Sequence, residues 1–352
     1  MEVYFVDVGL GSCHVILLGG RRAIVVDCGV RSDHIALQFL LRSGVETIDR
    51  LITSHSDGDH TGGAISILDH YAENIEKICV VQDHKFLSSR YWRRLYALRK
   101  EGRVHERQIP PPMLPEDGLP KLVWEDLQSG ARLRCFSPTF VENLEAQQVK
   151  NSNGSSMVLV LDYLGRRVVF AADSVIPQWR AIYERRGNQT LECDILAVPH
   201  HGGLVDGTDA DLDWMYDRAI QCDVAMFSVG TVLRPKHPRA EVVAKLRSIG
   251  TTVVCTELTS QCHKQPQTLK PGVLQPQVHL GRAMNAPKQS YVACAGTVMA
   301  TISGGEIEID RLSSHQIAVD SLATNPTGEK CPLCRLPALS SLATTAVSRC
   351  KS

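Results

Sequence analysis

Three times in this chain a short apolar strand-like run stops on an acid or a histidine and gives way to small residues or a turn. The three are LITSHSDGDHTGG at 51–63, RRVVFAAD ending on Asp173, and CDILAVPHHGG carrying His200 and His201. A loop pinned to the end of a buried strand can aim several donors at one point. Helix-like segments such as SVIPQWRAIYERR and PRAEVVAKLRSIG lie between the later strands. Sheet alternating with helix over most of the length confines the chain to a layered α and β architecture, because each apolar face must be buried against another element.

The opening reads as strand, turn, strand, turn, strand in VYFVDVG, SCHVILLGG and RRAIVVDCG, an antiparallel start. The spacing predicts a helix from about Ser32 to Ser43, capped by Ser32 or Asp33, a strand in DRLITS, and a helix over Gly63 to Tyr71. ICVVQD is a strand, and a basic helix follows, with Leu87, Tyr91, Leu95 and Leu98 on its apolar face. Strands return in KLVWEDL, ARLRCFSP, SSMVLVLDY, RRVVFAAD, CDILAVP, CDVAMFSVG and TTVVCTE. No clear linker divides this run, so 1–260 is expected to be one domain and 261–352 a C-terminal extension. In that extension YVACAGTVMATISGGEIEID forms a hairpin turning at SGG, and the last fourteen residues are loosely held.

Composition narrows the function. Of 352 residues, 43% are hydrophobic and 22% charged, and 38 Lys plus Arg balance 38 Asp plus Glu. No global positive field is available to hold a polyanion, so nucleic-acid binding would need a local patch. Several of the 12 cysteines sit in apolar strand-like runs, as buried thiols do in a reducing compartment, which points to a cytoplasmic setting. No apolar run approaches the ~18 residues of a membrane span, and the first residues do not read as a signal peptide.

His55, Asp57, Asp59 and His60 stand within one short loop after an apolar strand, and imidazole with carboxylate is the donor set of zinc or manganese. The bland alternative is a polar turn whose acids cap the next helix; Asp173, His200 and His201 downstream weigh against it. His237, in a loop ahead of a helix, could donate a proton to a leaving group or contact phosphate, or be an ordinary helix-entry histidine. His14 reads as a packed residue, while Ser12 and Lys236 are weaker substrate contacts.

The segment HSDGDH resembles the His-x-His-x-Asp-His motif of the metallo-β-lactamase superfamily, with aspartate in place of the second histidine. That variant resembles the hydrolase domain of bacterial DNA-uptake channel proteins. FVDVGLGSCHVI, NSNGSSMVLVLDY, VVFAAD and AVPHHGG resemble further segments of that family, in order, over residues 3 to about 257. The resemblance implies an α+β fold, a four-layer αββα sandwich, with a small C-terminal extension. It also implies two divalent ions, Zn or Mn, one held by His55 and Asp57 and the other by Asp59, His60 and a histidine of the pair, with Asp173 bridging. His200 is favoured as that ligand by its place at the strand end, leaving His201 to bond a substrate oxygen. Asp59, His201 and His237 are the residues expected to act at the reacting groups. The family's usual third histidine has no match; Asn151 and Asn153 stand in that region.

Such a site activates water against an ester or phosphoryl centre. The leading expectation is a metal-dependent hydrolase of phosphodiester bonds in nucleic acid or a nucleotide. A metal-binding interaction module in a larger, for instance defence, assembly and a small-molecule lactam or ester hydrolase are the alternatives. Nucleic acid stays among the partners because Arg90, Arg93, Arg94, Arg99, Lys100, Arg103 and Arg107, with Tyr91, Trp92 and Tyr96 interleaved, could track a phosphate backbone. As a solvated helix face they need no function; a protein partner is open and a membrane is not expected. Cys331 and Cys334 form CPLC, half of a zinc pattern. Relatives with similar CTELTSQC, CAGTV and PLCR segments single out Cys255, Cys262, Cys294 and Cys334 for an additional structural zinc, with buried free thiols as the alternative.

Overall fold

The structure, a computed structural model, describes residues 1–30, 34–110, 114–115, 119–231, 237–263, 265–266, 293–324 and 334. The first part of the chain supplies β1 (Glu2–Phe5), β2 (Cys13–Gly19), β3 (Arg22–Cys28), α1 (Ile35–Arg42), β4 (Thr47–Thr53), the single turn α2 (Gly58–Thr61), α3 (Ala64–Tyr71), β5 (Ile75–Val80) and α4 (Arg90–Lys100). The second supplies β6 (Lys121–Asp126), β7 (Ala131–Ser137), α5 (Phe140–Gln148), β8 (Val158–Tyr163), β9 (Arg166–Phe170), α6 (Ile176–Arg185), β10 (Leu191–Ala197), α7 (Asp209–Trp214), β11 (Ile220–Phe227), α8 (Ala240–Ser248) and β12 (Thr252–Cys255). A closing hairpin, β13 (Val298–Ser303) and β14 (Glu306–Ile309), precedes α9 (Leu312–Thr324).

Two seven-stranded sheets result, ordered β14-β13-β1-β2-β3-β4-β5 and β12-β11-β10-β9-β8-β7-β6. They pack face to face because their strands are apolar on both sides. In β3, Ile24 and Val26 enter the core between the sheets while Ala23 and Val25 meet the outer helices. In β8, Leu159 and Leu161 face inward while Val158 and Val160 meet the helices of the other side. Strands buried on both faces need helices on both outer surfaces, and that is the four-layer sandwich.

Within each sheet one half is parallel: β3, β4 and β5 in the first, β9 to β12 in the second. Carboxyl ends of parallel strands therefore line one rim of the sandwich, where loops are positioned but not paired. The hairpin turning at Gly304 and Gly305 is present, but β13 pairs with β1 from Phe5↔Val298 to Glu2↔Thr301. This part of the 261–352 extension is thus an edge of the first sheet rather than an appendage of the 1–260 domain.

The basic helix starts later than its apolar spacing predicts. Phe86–Ser88 is a separate turn, Leu87 is 84% exposed, and Ser89 caps α4 by accepting the Trp92 N–H at 3.2 Å. A side-chain acceptor at the N-cap fixes a helix start more firmly than one apolar residue outside it. Tyr91, Leu95 and Leu98 are buried against the first sheet as the spacing requires. The predicted caps Ser32 and Asp33, residues 267–290 and the last fourteen residues lie outside the described residues.

Candidate metal centre

The donors come from both sheets, not from the edge of one. β4 delivers Ser54 and His55, and α2 then carries Asp59 and His60 in one tight turn. That turn abuts the β1–β2 connection so closely that a Cβ on Gly11, at φ +94, would lie 1.8 Å from the Asp59 carbonyl oxygen. Glycine is required there, and the Ser12 N–H donates to the same carbonyl at 3.2 Å. From the second sheet Asp173 follows β9, and His200 and His201 follow β10, both with left-handed backbone at φ 51 and 53. Non-glycine residues held there cost ~1–3 kcal/mol each and persist where the surroundings over-determine them.

Hydrogen bonds orient the imidazoles. Asp27, 1% exposed at the end of β3, accepts from the Ser54 N–H at 2.8 Å, the Ser54 hydroxyl at 2.8 Å and His60 Nδ1 at 2.8 Å. Because the Ser54 hydroxyl is committed to Asp27, its oxygen is left to accept from His55 Nδ1 at 3.0 Å, with Ser156 Oγ at 3.2 Å from the same nitrogen. Both rings thereby carry a proton on Nδ1 and aim Nε2 inward, the orientation in which a histidine that gives up its Nε2 proton binds metal.

His60 Nε2 lies 3.1 Å from Asp173 Oδ1, and His55 Nε2 lies 3.9 Å from Asp173 Oδ2. His201 Nε2 lies 3.4 Å from Asp173 Oδ1 and 3.6 Å from Asp59 Oδ2. His55, His60 and Asp173 offer one atom each within 4.8 Å of one another, as do Asp59, His60 and His201. His55 Nε2, His60 Nε2, both His201 nitrogens and Asp173 Oδ1 are buried without a hydrogen-bond partner. Orphaned buried polar atoms are costly alone. Five imidazole and carboxylate side chains converging on one small volume fit a divalent ion.

Electrostatics follow from the same packing. Burial disfavours charge on His60, but Asp173 and Asp27 outweigh it and raise its pKa well above the ordinary histidine value. Burial likewise opposes charge on Asp173 and Asp59; for Asp173 the field of His60 and His201 prevails, and for Asp59 the close approach of His201 and then the field of His60, so both lie below the usual carboxylate range. His55 is lowered, by burial and then by His60.

A family model described as "Metallo-beta-lactamase superfamily" matches residues 6–210. The chain belongs to the metallo-β-lactamase superfamily. Among relatives, "ComE operon protein 3" of Bacillus subtilis (strain 168) is 24% identical over 234 residues, covering 64% of this chain and 25% of that protein. "Recombination protein 2" of Haemophilus influenzae (strain ATCC 51907 / DSM 11121 / KW20 / Rd) is 26% identical over 267 residues, covering 74% of this chain and 28% of that protein. These two agree with the resemblance to DNA-uptake proteins carried by HSDGDH, and the chain spans about a quarter of their length. The solved metallo-β-lactamase fold protein YhfI from Bacillus subtilis is 11% identical with a TM-score of 0.41, covering 72% of this chain and 96% of that one.

Against the superfamily pattern, two expected ligands stand differently. Asp57 does not join the cluster: its carboxylate receives Lys85 Nζ at 2.6 and 2.9 Å. Of the histidine pair, His201 is the one beside Asp59 and His60, whereas His200 donates from Nδ1 to the Leu204 carbonyl at 2.9 Å and reaches Asp173 only at 3.9 Å. The second ring of the pair is thus the one that lies beside the cluster, and both residues hold left-handed backbone. In the third-histidine region Asn151 is committed to Asp206 at 2.9 Å.

His237 joins the rim, its ring 5.3 Å from His200 and 6.3 Å from His201, and a Cβ on Gly203 would come within 2.5 Å of it. Burial and the two neighbouring histidines lower it to about 4, so at neutral pH it offers a neutral imidazole rather than an acid. Lys236 lies outside the described residues. Sequence reasoning missed Asp27, Ser54, Lys85 and Ser156; only Asp27 left a signal, as an acid closing an apolar strand before Gly29.

His14 is a packed residue, edge-on to Phe5 at 5.2 Å and tilted over Phe170 at 5.1 Å, with Nδ1 unpaired. Burial lowers it to about 4. The unfolded chain takes a proton near the ordinary value of 6.5 that the folded chain refuses until about 4, so His14 costs stability progressively as pH falls through that window. His14→Phe is expected to flatten the loss of stability between those values, read as urea midpoints against pH. An unchanged slope would contradict the assignment.

Elsewhere, three of the seven cations of α4 and its C-terminal flank pair with acids: Arg94 with Asp69 and Glu101, Arg99 with Glu106, Arg103 with Glu73. Tyr91 is buried and Lys100 lies over the Tyr96 ring. All described cysteines are free, and all but Cys222 are buried. Cys255, Cys262, Cys294 and Cys334 share one core cluster, the Cys334 thiol lies beside those of Cys255 and Cys262, and Cys294 Sγ lies 3.0 Å from His315 Nδ1. Cys331 lies outside the described residues. Among the described residues no helix is long and apolar enough to cross a membrane.

Proposed function

We propose that this protein is a metal-dependent hydrolase of phosphodiester bonds in nucleic acid or a nucleotide. The observation that carries it is the convergence of His55, Asp59, His60, Asp173 and His201 with unpaired inward atoms. These residues would hold the ion, Zn or Mn. Bound there, a divalent ion polarises the ester and lowers the pKa of water enough to make it a nucleophile at neutral pH. The chain's own part is to present His55 and His60 in one tautomer through Asp27 and Ser54, and to keep the donors buried. The neutral His237, at the rim beside His200, can donate an N–H bond to a substrate oxygen. The preference for phosphodiesters rests on the aspartate-bearing motif and the two named relatives.

The test is turnover of bis(p-nitrophenyl) phosphate, single-stranded DNA and a cyclic dinucleotide with added Mn²⁺ or Zn²⁺, beside a chromogenic lactam and an acetate ester. Turnover confined to lactam or ester would sink the phosphodiester reading. Metal binding with no turnover on any substrate would favour the interaction module, which the diversion of Asp57 independently suggests. A cytoplasmic location suits the free buried thiols.

The cysteine cluster is proposed as a structural zinc site. It is expected to give a sulfur-to-metal charge-transfer band with Co²⁺ that Cys262→Ser removes and His60→Ala leaves. The band's absence would leave the four as buried thiols.

A further inference from the structure

The ion pair at Asp57 bears on how many ions the centre holds, an inference that rests on the metal-hydrolase reading above. Lys85 Nζ contacts both Asp57 oxygens, at 2.6 and 2.9 Å, and Ser152 Oγ at 3.0 Å. Asp57 and the 151–153 loop are the two places from which the superfamily pattern would draw the remaining ligands of a His55-bound ion. One ammonium is bound to both. The placement is built: Asp83, 4% exposed, accepts the Ser56 N–H at 2.7 Å and the Lys85 N–H at 2.9 Å, tying the metal-loop backbone to the start of the lysine segment.

We propose that the Lys85 ammonium stands in for the second cation, so that the centre holds one divalent ion beside a fixed protein charge. The Lys85 side chain is 43% exposed, and its charge can attract an anionic substrate oxygen, the class a phosphodiester presents. Lys85 is then a substrate-positioning residue that reaches the anion without coordinating the ion.

The measurement is equilibrium Mn²⁺ titration followed by electron paramagnetic resonance of the free ion. Manganese is chosen because thiolates such as the cysteine cluster prefer softer metals. Wild type and Asp57→Asn are expected to bind one Mn²⁺ per chain. Lys85→Ala, which frees Asp57 beside His55 and Asp173, is expected to bind two, and the double variant to return to one. Two ions in wild type falling to one in Asp57→Asn would overturn the proposal, as would a single ion in Lys85→Ala. No saturable binding by wild type would instead overturn the metal-hydrolase reading itself.

Discussion

Replacing Asp173 by alanine is expected to abolish saturable metal binding and to lower kcat/KM on a phosphodiester by ~10³-fold or more. Among the described residues it is the carboxylate that four histidines approach within 4 Å: His60 at 3.1, His201 at 3.4, His55 and His200 at 3.9 Å. Neither nearby carboxylate replaces it, because, of these histidines, Asp59 comes within 4 Å of His201 alone and Asp57 is held by Lys85. Its removal also withdraws the negative charge that most favours protonated His60 and His201 in the metal-free protein. Circular dichroism separates loss of metal from loss of fold, and Asp173→Asn keeps the shape while removing the charge. Turnover within tenfold of wild type in a folded Asp173→Ala protein would refute the assignment.

Asp27→Ala is expected to cost ~3–5 kcal/mol of stability, because one deletion strands three buried donors and breaks a buried ion pair. The Ser54 N–H, the Ser54 hydroxyl and His60 Nδ1 all lose their acceptor, and Asp27 is 1% exposed, so water does not readily replace it. Loss of the bond behind a metal-binding histidine should also weaken metal affinity ~10–100-fold. Asp27→Asn, which keeps an oxygen acceptor, should lose less on both counts. Urea unfolding and Mn²⁺ titration on the same samples measure the two effects. An Asp27→Ala protein within ~0.5 kcal/mol of wild type, the range of an ordinary surface change, would show that the network does not hold the site.

Legibility in the sequence followed the reach of each interaction. The strands from DRLITS to TTVVCTE were readable because apolar runs bounded by turns are set locally, and the superfamily motif carried their stacking into four layers. The helices Phe140–Gln148 and Leu312–Thr324 were missed; α5 buries only Asn143 and Ala146 and has little apolar periodicity to read. The positions of His55, Asp59, His60 and Asp173 were legible as residues at strand ends. What was not legible depends on contacts remote in sequence: Asp57 meets a lysine 28 residues on, and His60 an aspartate 33 residues back. The choice between His200 and His201 turned on two left-handed backbone conformations that no local pattern announces.

The central claim, that His55, Asp59, His60, Asp173 and His201 form a metal centre, is tested most directly by Mn²⁺ titration of wild type against a His60→Ala, Asp173→Ala double variant. Saturable binding by wild type that the folded variant has lost is the predicted result. No saturable binding by wild type, or equal binding by both, would contradict it.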